Sequence, residues 1–238
     1  DLQFTIVDGL NIKAMLYKSR NQMEYSQYYD STTDAGRDDG GYAYRSSNTR
    51  DKELMEWTLD FDKTFNEVHK VNALLGYSWE ENTYQSMSAA NRSFTTDGLG
   101  ANNLGAGQDL RPADVGSSKN EYRLISMFAR ANYSFGEKYM VTATIRRDGS
   151  SKFGANHKWG WFPSASAAWG ISQEAFMEDV EWVNDLKLRA GWGVTGNQDG
   201  LSPYKTLELY GSEGKYYDNG KWLTAYKINQ NANPDLKW

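Results

Sequence analysis

The sequence has no cysteine in its 238 residues, which excludes disulfides and thiolate-bound metals. It has only two histidines, His69 and His157, which lie too far apart in the sequence to form a local metal-ligand pair. No apolar run approaches the ~20 residues that a membrane-spanning helix needs. The mean hydropathy of -0.76 is typical of a soluble chain. A formal net charge of -5 argues against nucleic acid as a partner.

The motifs of common enzymes are also missing. The glycine-rich stretch near Gly98 and Gly105 is not followed by the Lys-Ser/Thr pair of a phosphate-binding loop. The acidic residues between Asp30 and Asp39 lack the terminal glutamate of a calcium-binding EF-hand loop. We therefore predict no catalytic, cofactor-binding or metal-binding residue, and no enzymatic activity.

Strands of alternating character are abundant. Between residues 141 and 148 every second side chain is apolar: Val141, Ala143 and Ile145. The side chains between them are polar: Thr142, Thr144, Arg146 and Asp148. Aromatic residues make up 14% of the chain and gather near predicted strand ends. An apolar face for lipid, a polar face for water and aromatic girdles are typical of transmembrane β-barrel strands.

The same pattern recurs as a meander of strands with alternately short and long connections. The predicted strands are Leu2–Val7, Leu10–Arg20, Glu53–Lys63, Lys70–Glu81, Glu121–Phe135, Tyr139–Asp148, Trp159–Trp169 and Leu186–Thr195. Short connections are predicted at 8–9, 64–69 and 136–137, and long loops at 21–52, 82–119, 149–158 and 196–221. Apolar residues at helical spacing predict a short helix in 171–184, and Asn233–Trp238 is interpreted as the start of a further strand.

These connections give the meander one consistent orientation. In outer-membrane barrels short turns face the periplasm and long loops face outside, and every predicted strand then runs in an allowed direction. The predicted fold class is all-β, a partial transmembrane antiparallel β-barrel. A soluble β-sandwich also has alternating strands, so periodicity alone leaves that alternative open.

Two groups of side chains are candidates for contact with a cargo. The predicted loops carry aromatic rings on which sugars could stack: Tyr25, Tyr28, Tyr42, Tyr44 and Trp222. The polar faces of the strands carry charges that could line a lumen or bond to a plug: Arg146, Asp148, Lys187 and Arg189. Packing of the loops against one another is the competing role for the aromatic group.

Five motifs follow one another in the second half of the chain. They are RRDGSSKFG (Arg146–Gly154), WGWFPSASAAWGIS (Trp159–Ser172), EAF (Glu174–Phe176), LKLRAGWGVTGNQ (Leu186–Gln198) and NPDLKW (Asn233–Trp238). In this order they resemble the barrel of the SusC/RagA-type TonB-dependent transporters of Gram-negative outer membranes. Residues 126–238 carry the resemblance, and residues 1–125 fit by pattern alone.

The resemblance implies a barrel of about 22 strands around an N-terminal plug, to which this chain would contribute about seven or eight strands. It also implies a SusD-like surface lipoprotein as a lid, energy from TonB–ExbBD through a TonB box, and import of an oligosaccharide or a peptide. We expect residues 1–238 to be an internal part of one barrel domain, with the plug and the TonB box elsewhere in a longer polypeptide.

The predicted function is therefore that of a segment of an active outer-membrane importer of oligomeric nutrients. Glycans are the first choice of cargo, and peptides are the alternative within the same family. A passive porin or adhesin barrel and a soluble β-rich carbohydrate-binding module are the competing classes.

Overall fold

The structure is a computed structural model that describes residues 1–180 and 182–238. Its strands are β1 (Leu2–Val7), β2 (Leu10–Tyr29), β3 (Tyr42–Phe65), β4 (His69–Arg92), β5 (Val115–Phe135), β6 (Tyr139–Ser150), β7 (Trp159–Gly170), β8 (Lys187–Gly193), β9 (Leu209–Asp218) and β10 (Lys221–Gln230). Strands β1 to β8 form one antiparallel sheet in sequence order, and β9 pairs with β10 separately. Within the described residues, no helix is long and apolar enough to cross a membrane.

The predicted short connections are confirmed as tight turns. Gly9, with a φ of 80°, lies between β1 and β2. Asn66 and Glu67 between β3 and β4 have φ values of 48° and 61°, and Gly136 and Glu137 between β5 and β6 have 55° and 59°. Two consecutive left-handed residues match the right-handed twist of the flanking strands, which is why such turns close hairpins well.

The predicted long loops at 21–52 and 82–119 are wrong in extent, because β2 to β5 extend into both ends of each. Strands β2 to β5 contain 20, 24, 24 and 21 residues, whereas a membrane-spanning strand needs about 9–11. The remaining connections are 30–41 and 93–114. Residues 45–52 of β3 are polar on both faces, so the two-residue apolar period disappears although strand pairing continues.

Three further predictions in the last third of the chain are wrong. Residues 171–184 hold two short 3-10 turns, Ile171–Gln173 and Ala175–Met177, and Glu181 within that range lies outside the described residues. The predicted loop 196–221 contains β9 and leads into β10 through Asn219-Gly220, a dipeptide that favours a tight hairpin turn. Residues 233–238 form no strand, because they pack on the 151–158 connection instead.

The chain divides into two compact units. The first comprises Asp1–Leu16, Leu54–Glu80 and Tyr122–Trp238, and the second comprises Tyr17–Glu53 and Glu81–Glu121. Buried apolar side chains are few among the described residues: Phe153 in the first unit, and Ala43 and Ala90 in the second. Most large apolar side chains of the sheet are exposed instead.

Candidate functional site

The two faces of the sheet differ in chemistry throughout β5 to β8, and β6 has the alternation predicted for residues 141–148. Thr142, Thr144 and Arg146 of β6 are opposite Ser166, Ser164 and Phe162 of β7 on one face. Ser166 and Ser164 are in turn opposite Gly191 and Gly193 of β8. This face is therefore polar and lined by small side chains, and we call it the polar face.

The other face is apolar and exposed. It carries Val141, Ile145, Leu188 and Trp192, which are 51%, 46%, 60% and 63% exposed. Cross-strand pairing places Ala143 beside Ala165 and Ala167 beside Ala190 on the same face. A contiguous apolar surface of this kind is unusual for a monomer in water, and it is the surface that a barrel strand presents to lipid.

The polar face contains a hydrogen-bonded charge cluster. The Arg146 Nε atom donates to both carboxylate oxygens of Asp148 at 2.8 Å, and its Nη2 atom donates to Ser126 Oγ at 2.8 Å. Asp148 is 9% exposed and Ser126 is fully buried. The guanidinium also lies 5.7 Å from the centroid of the Phe128 ring. Arg146 therefore neutralises a carboxylate that is largely shielded from water and would be costly to leave unpaired.

A second polar network crosses four strands on this face. Asn72 Nδ2 donates to Asp60 and Asp62 at 3.4 and 3.5 Å, and Asn132 Nδ2 donates to Asn72 Oδ1 at 2.8 Å. Thr142 Oγ1 then donates to Asn132 Oδ1 at 2.8 Å. The network gives the face fixed donors and acceptors from β3 to β6.

The predicted lumen residues are only partly brought together. Arg146 and Asp148 form the cluster described above. Lys187 and Arg189 pair with Gly170 and Ala168 at the start of β8, on the same polar face but towards the opposite end of the strands. The structure thus separates the four predicted residues into a bonded pair and two cations that lie apart from this pair.

The predicted aromatic loop residues lie in strands, which corrects their placement. Tyr25 and Tyr28 belong to β2 and Tyr42 and Tyr44 to β3. Within the second unit they form ring contacts: Tyr25 with Tyr44 at 6.0 Å, Tyr29 with Tyr42 at 6.0 Å, and Tyr28 with Phe94 at 5.7 Å. Trp222 belongs to β10, in the first unit, where its ring is 5.4 Å from that of Tyr217.

The connections of the second unit are fixed by ion pairs that the sequence analysis missed. Arg92 Nη1 donates to Asp114 Oδ2 at 2.6 Å and Arg92 Nε is 3.4 Å from Asp39, while Arg111 joins Asp39 at 3.0 Å. The hydrogen bond from Arg92 holds the pKa of Asp114 below its usual value. These partners are 22 to 72 residues apart in the sequence, so no local pattern reveals them.

Asp97 is the other ordered carboxylate in these connections. It accepts hydrogen bonds from the Tyr28 hydroxyl at 2.6 Å and from the Ser31 N–H at 3.0 Å, and these bonds lower the pKa of Asp97. Of the acidic residues between Asp30 and Asp39, only Asp39 joins the ion-pair network. The described residues contain no group of three or more histidine or acidic side chains that could hold a metal ion.

Two of the sequence motifs meet in space. Gly154 N–H donates to the Leu236 carbonyl at 2.8 Å, and Trp238 Nε1 donates to the Lys158 carbonyl at 2.8 Å. The ring of Trp238 lies 4.5 Å from that of Phe153, which is 2% exposed. The RRDGSSKFG motif therefore supplies residues 151–154 of the 151–158 connection, on which the NPDLKW motif packs.

Comparisons with known proteins cover the whole chain. The family described as "TonB dependent receptor-like, beta-barrel" matches residues 1–238. TonB-dependent receptor P3 of Formosa agariphila is 35% identical over 240 residues, which cover 99% of this chain and 23% of that protein. TonB-dependent receptor SusC of Bacteroides thetaiotaomicron is 41% identical over 117 residues, which cover 48% of this chain and 12% of SusC.

Solved structures agree with these relatives. A structure described as the RagAB peptide transporter superposes with a TM-score of 0.84 at 26% identity, over 99% of this chain and 26% of that chain. The RagAB peptide importer in the "open-open" state superposes with a TM-score of 0.82 at 26% identity, over 99% of this chain and 25% of that chain. The chain spans about a quarter of the length of these proteins.

The matches confirm the predicted SusC/RagA-type resemblance, the partial all-β barrel and a location in the outer membrane of a Gram-negative bacterium. They also confirm the prediction that the chain is not an enzyme. The chain belongs to the TonB-dependent receptor-like β-barrel family.

Proposed function

We propose that the full-length protein is an active importer that carries an oligomeric glycan across the outer membrane. The observation that supports this most is the two-faced sheet, in which an exposed apolar face backs a hydrogen-bonded polar face. A barrel wall needs this arrangement if lipid lies outside and a polar solute passes inside. In this proposal the chain is one part of that wall.

The polar face then lines the lumen. Arg146 and Asp148 form a neutral pair there, and Lys187 and Arg189 supply separate positive charges nearer the other end of the strands. Residues in such positions either contact the plug or line the path of the cargo. The network from Asp60 to Thr142 links β3 to β6 by side-chain hydrogen bonds on the same face.

A glycan is the proposed cargo because of the aromatic clusters. In the second unit the rings of Tyr25 and Tyr44 and of Tyr29 and Tyr42 approach in pairs at 6.0 Å. The first unit offers the exposed rings of Tyr217 and Trp222. Rings of this type combine an apolar face with a polar tip, which suits the apolar CH face and the hydroxyl groups of a sugar.

A peptide is the second candidate, and one specific observation favours it. The chain superposes on the RagAB peptide transporter with a TM-score of 0.84. The arrangement of strands is therefore compatible with import of a glycan or of a peptide. The two proposals differ in the side chains that would contact the cargo.

The proposed partners are those of the SusC/RagA type. A SusD-like surface lipoprotein would cover the end of the barrel that carries the connections 30–41 and 93–114. TonB–ExbBD would supply energy through the N-terminal region. Purification of the tagged full-length protein from its native outer membrane should recover a lipoprotein in equal amount. Recovery of the tagged protein alone, without a second polypeptide, would contradict this partner.

Uptake by intact cells tests the function. A strain lacking the gene should lose import of at least one fluorescently labelled oligosaccharide, and a protonophore should abolish import in the parent strain. Import that continues with the protonophore would indicate a passive porin. Loss of peptide import with unchanged glycan import would favour the second candidate.

A further inference from the structure

One charged side chain interrupts the apolar face of β5 to β8. In the pairing of these strands, that face comprises every second residue of 125–135, 139–149, 159–169 and 188–192. All of these residues are described by the structure, and Arg147 of β6 is the only charged residue among them. Because a charge that faces lipid without a partner is costly, this arginine calls for an anionic partner at the membrane.

The position of Arg147 along β6 places it at the margin of the membrane. It lies near the end of the strand that leads into the 151–158 connection, whereas Tyr139 lies at the opposite end. The eight residues from Tyr139 to Arg147, at about 3.4 Å each and tilted by about 40°, rise about 21 Å along the bilayer normal. The apolar band of such a barrel is about 25 Å tall, so Arg147 lies where the lipid head groups begin.

The connections of β6 assign this margin to the outer leaflet. The tight turn Gly136-Glu137 precedes the strand, and the longer connection 151–158 follows it. In outer-membrane barrels short turns face the periplasm and longer loops face outside. The outer leaflet of a Gram-negative outer membrane is built mainly from lipid A, a glycolipid whose head group carries phosphate.

Two tryptophans of β7 hold the guanidinium of Arg147 at this position. The Arg147 Cζ atom lies 4.6 Å from the centroid of the Trp159 ring and 5.3 Å from that of the Trp161 ring. The Trp159 ring crosses Gly149 to reach the arginine, since a Cβ atom at Gly149 would lie 2.7 Å from this ring. Trp159 and Trp161 are 41% and 57% exposed, as expected for rings at the boundary between lipid and water.

The two rings leave the charge of Arg147 without a counter-ion. Within residues 1–180 and 182–238, its guanidinium forms no ion pair and no hydrogen bond. The neighbouring Arg146, in contrast, is paired with Asp148 on the polar face. The Arg147 Nε atom is buried, so the two terminal Nη groups of this half-buried side chain are the ones that can meet a ligand.

A phosphate on a lipid is the ligand that this arrangement fits. The terminal N–H groups of a guanidinium form a planar fork that matches two oxygens of a phosphate, and hydrogen bonds between charged groups are the strong ones. Ile145 and Val141 continue the apolar face from Arg147 towards the middle of the membrane, and they are 46% and 51% exposed. The acyl chains of a lipid whose phosphate lies at Arg147 would therefore meet an apolar surface.

We propose that Arg147, held between Trp159 and Trp161, binds the phosphate of a lipid A molecule in the outer leaflet. This site lies on the outside of the barrel wall, so it is independent of the cargo and goes beyond the proposed import function. It depends on the orientation that the short and long connections assign to the barrel.

Native mass spectrometry of the full-length protein in detergent tests this site. The probes are phosphorylated lipid A and the same lipid A after removal of its phosphate. We expect the phosphorylated form to bind the wild-type protein and Arg147→Gln to weaken this binding about tenfold, which is the lower end of the range for a hydrogen bond between charged groups. The dephosphorylated form should bind the wild-type protein and Arg147→Gln equally and more weakly.

Two further variants separate the charge of Arg147 from other effects. Arg147→Lys keeps the charge and should bind phosphorylated lipid A within about threefold of the wild-type protein. Arg130 of β5 pairs with Thr144 and lies on the polar face, so Arg130→Gln should leave the affinity unchanged. Equal weakening by Arg147→Gln and Arg130→Gln, or by Arg147→Gln and Arg147→Lys, would overturn the inference.

The identity of the ligand is decided by the remaining comparisons. Wild-type affinity of Arg147→Gln for phosphorylated lipid A would overturn the inference, and so would equal affinity of the wild-type protein for the two forms of the lipid. Displacement of the lipid by an equal concentration of inorganic phosphate would show that the site takes a free anion, and absence of lipid A binding would also contradict the site. None of these outcomes affects uptake in the deletion strain, which tests the import function separately.

Discussion

Removal of the Arg146 side chain should leave a carboxylate of the barrel wall without its counter-ion. Asp148 is 9% exposed, and Arg146 Nε donates to both of its oxygens at 2.8 Å. In the variant Arg146→Met these two hydrogen bonds and the bond to Ser126 are lost together. Methionine cannot replace them, so the Asp148 carboxylate is left without these hydrogen-bond donors.

The magnitude follows from the burial of the pair. Removal of one partner from a fully buried ion pair costs about 3–5 kcal/mol. The Arg146 side chain is 43% exposed, so water can reach the Asp148 carboxylate once the guanidinium is gone. We therefore expect the free energy of unfolding to fall by about 1–3 kcal/mol, the range for a polar group left without its partner.

The assay is urea unfolding of the full-length protein in detergent, with a double-mutant cycle. Arg130→Met is the control, because Arg130 lies on the same face and its side-chain bond to Thr144 is long, at 3.4 Å. This variant should change stability by about 0.5 kcal/mol. Adding Asp148→Asn to Arg146→Met should restore most of the loss. Equal losses for Arg146→Met and Arg130→Met, or an additive cycle, would refute the reasoning.

Three further predictions concern the membrane face, the loops and pH. Ala190→Arg should destabilise the protein in bilayers by about 2–4 kcal/mol near the midplane, and a stability change no larger than that of Arg189→Ala would contradict the lipid-facing assignment. Protease added to intact cells should cut within 93–114 and spare 136–138; cleavage only after permeabilisation would reverse the orientation. Because the pKa of Asp114 is lowered, its stabilisation is present above its ordinary value of 3.8 and is lost as pH falls through the folded-state pKa. Pepsin should therefore cut 93–114 faster at about pH 2 than at about pH 4, and Asp114→Asn, which lacks the titrating group, should reduce that difference; an undiminished difference would exclude Asp114 as its cause.

The strands that cross the membrane were the predictable part of the fold. For β6 and β7 the predicted and observed ranges agree within two residues, because one face of each must be apolar and the other polar. Because of this requirement, apolar and polar residues alternate with a period of two in the sequence. The alternation also determines which side chains share a face, and Thr142 and Thr144 were accordingly predicted on the polar face of β6.

The outer parts of β2 to β5 could not be predicted from a two-residue period. Once a strand has water on both sides, its side chains need no alternation, and only the backbone hydrogen bonds maintain it. Residues 45–52 of β3 show this, since their composition resembles a loop. The predicted loop tyrosines were placed wrongly for the same reason.

The candidate site was predictable only where it depends on a single strand. Arg146 and Asp148 are two residues apart, so their shared face and their ion pair follow from strand geometry. Phe153 and Trp238 are in contact from positions 85 residues apart, and this contact depends on how the 233–238 segment folds back. No local sequence pattern predicts that residues 233–238 fold back in this way, and the prediction of a strand there was therefore wrong.

Collision accessibility of spin labels tests the barrel wall most directly. Single cysteines are introduced at 141, 143 and 145 and at 142 and 144 in a full-length protein free of other cysteines, labelled with a nitroxide and placed in bilayers. The structure predicts high oxygen accessibility at 141, 143 and 145 and high accessibility to a water-soluble nickel chelate at 142 and 144. The opposite phase, or equal access of the nickel chelate to all five positions, would contradict a membrane wall with a polar lumen.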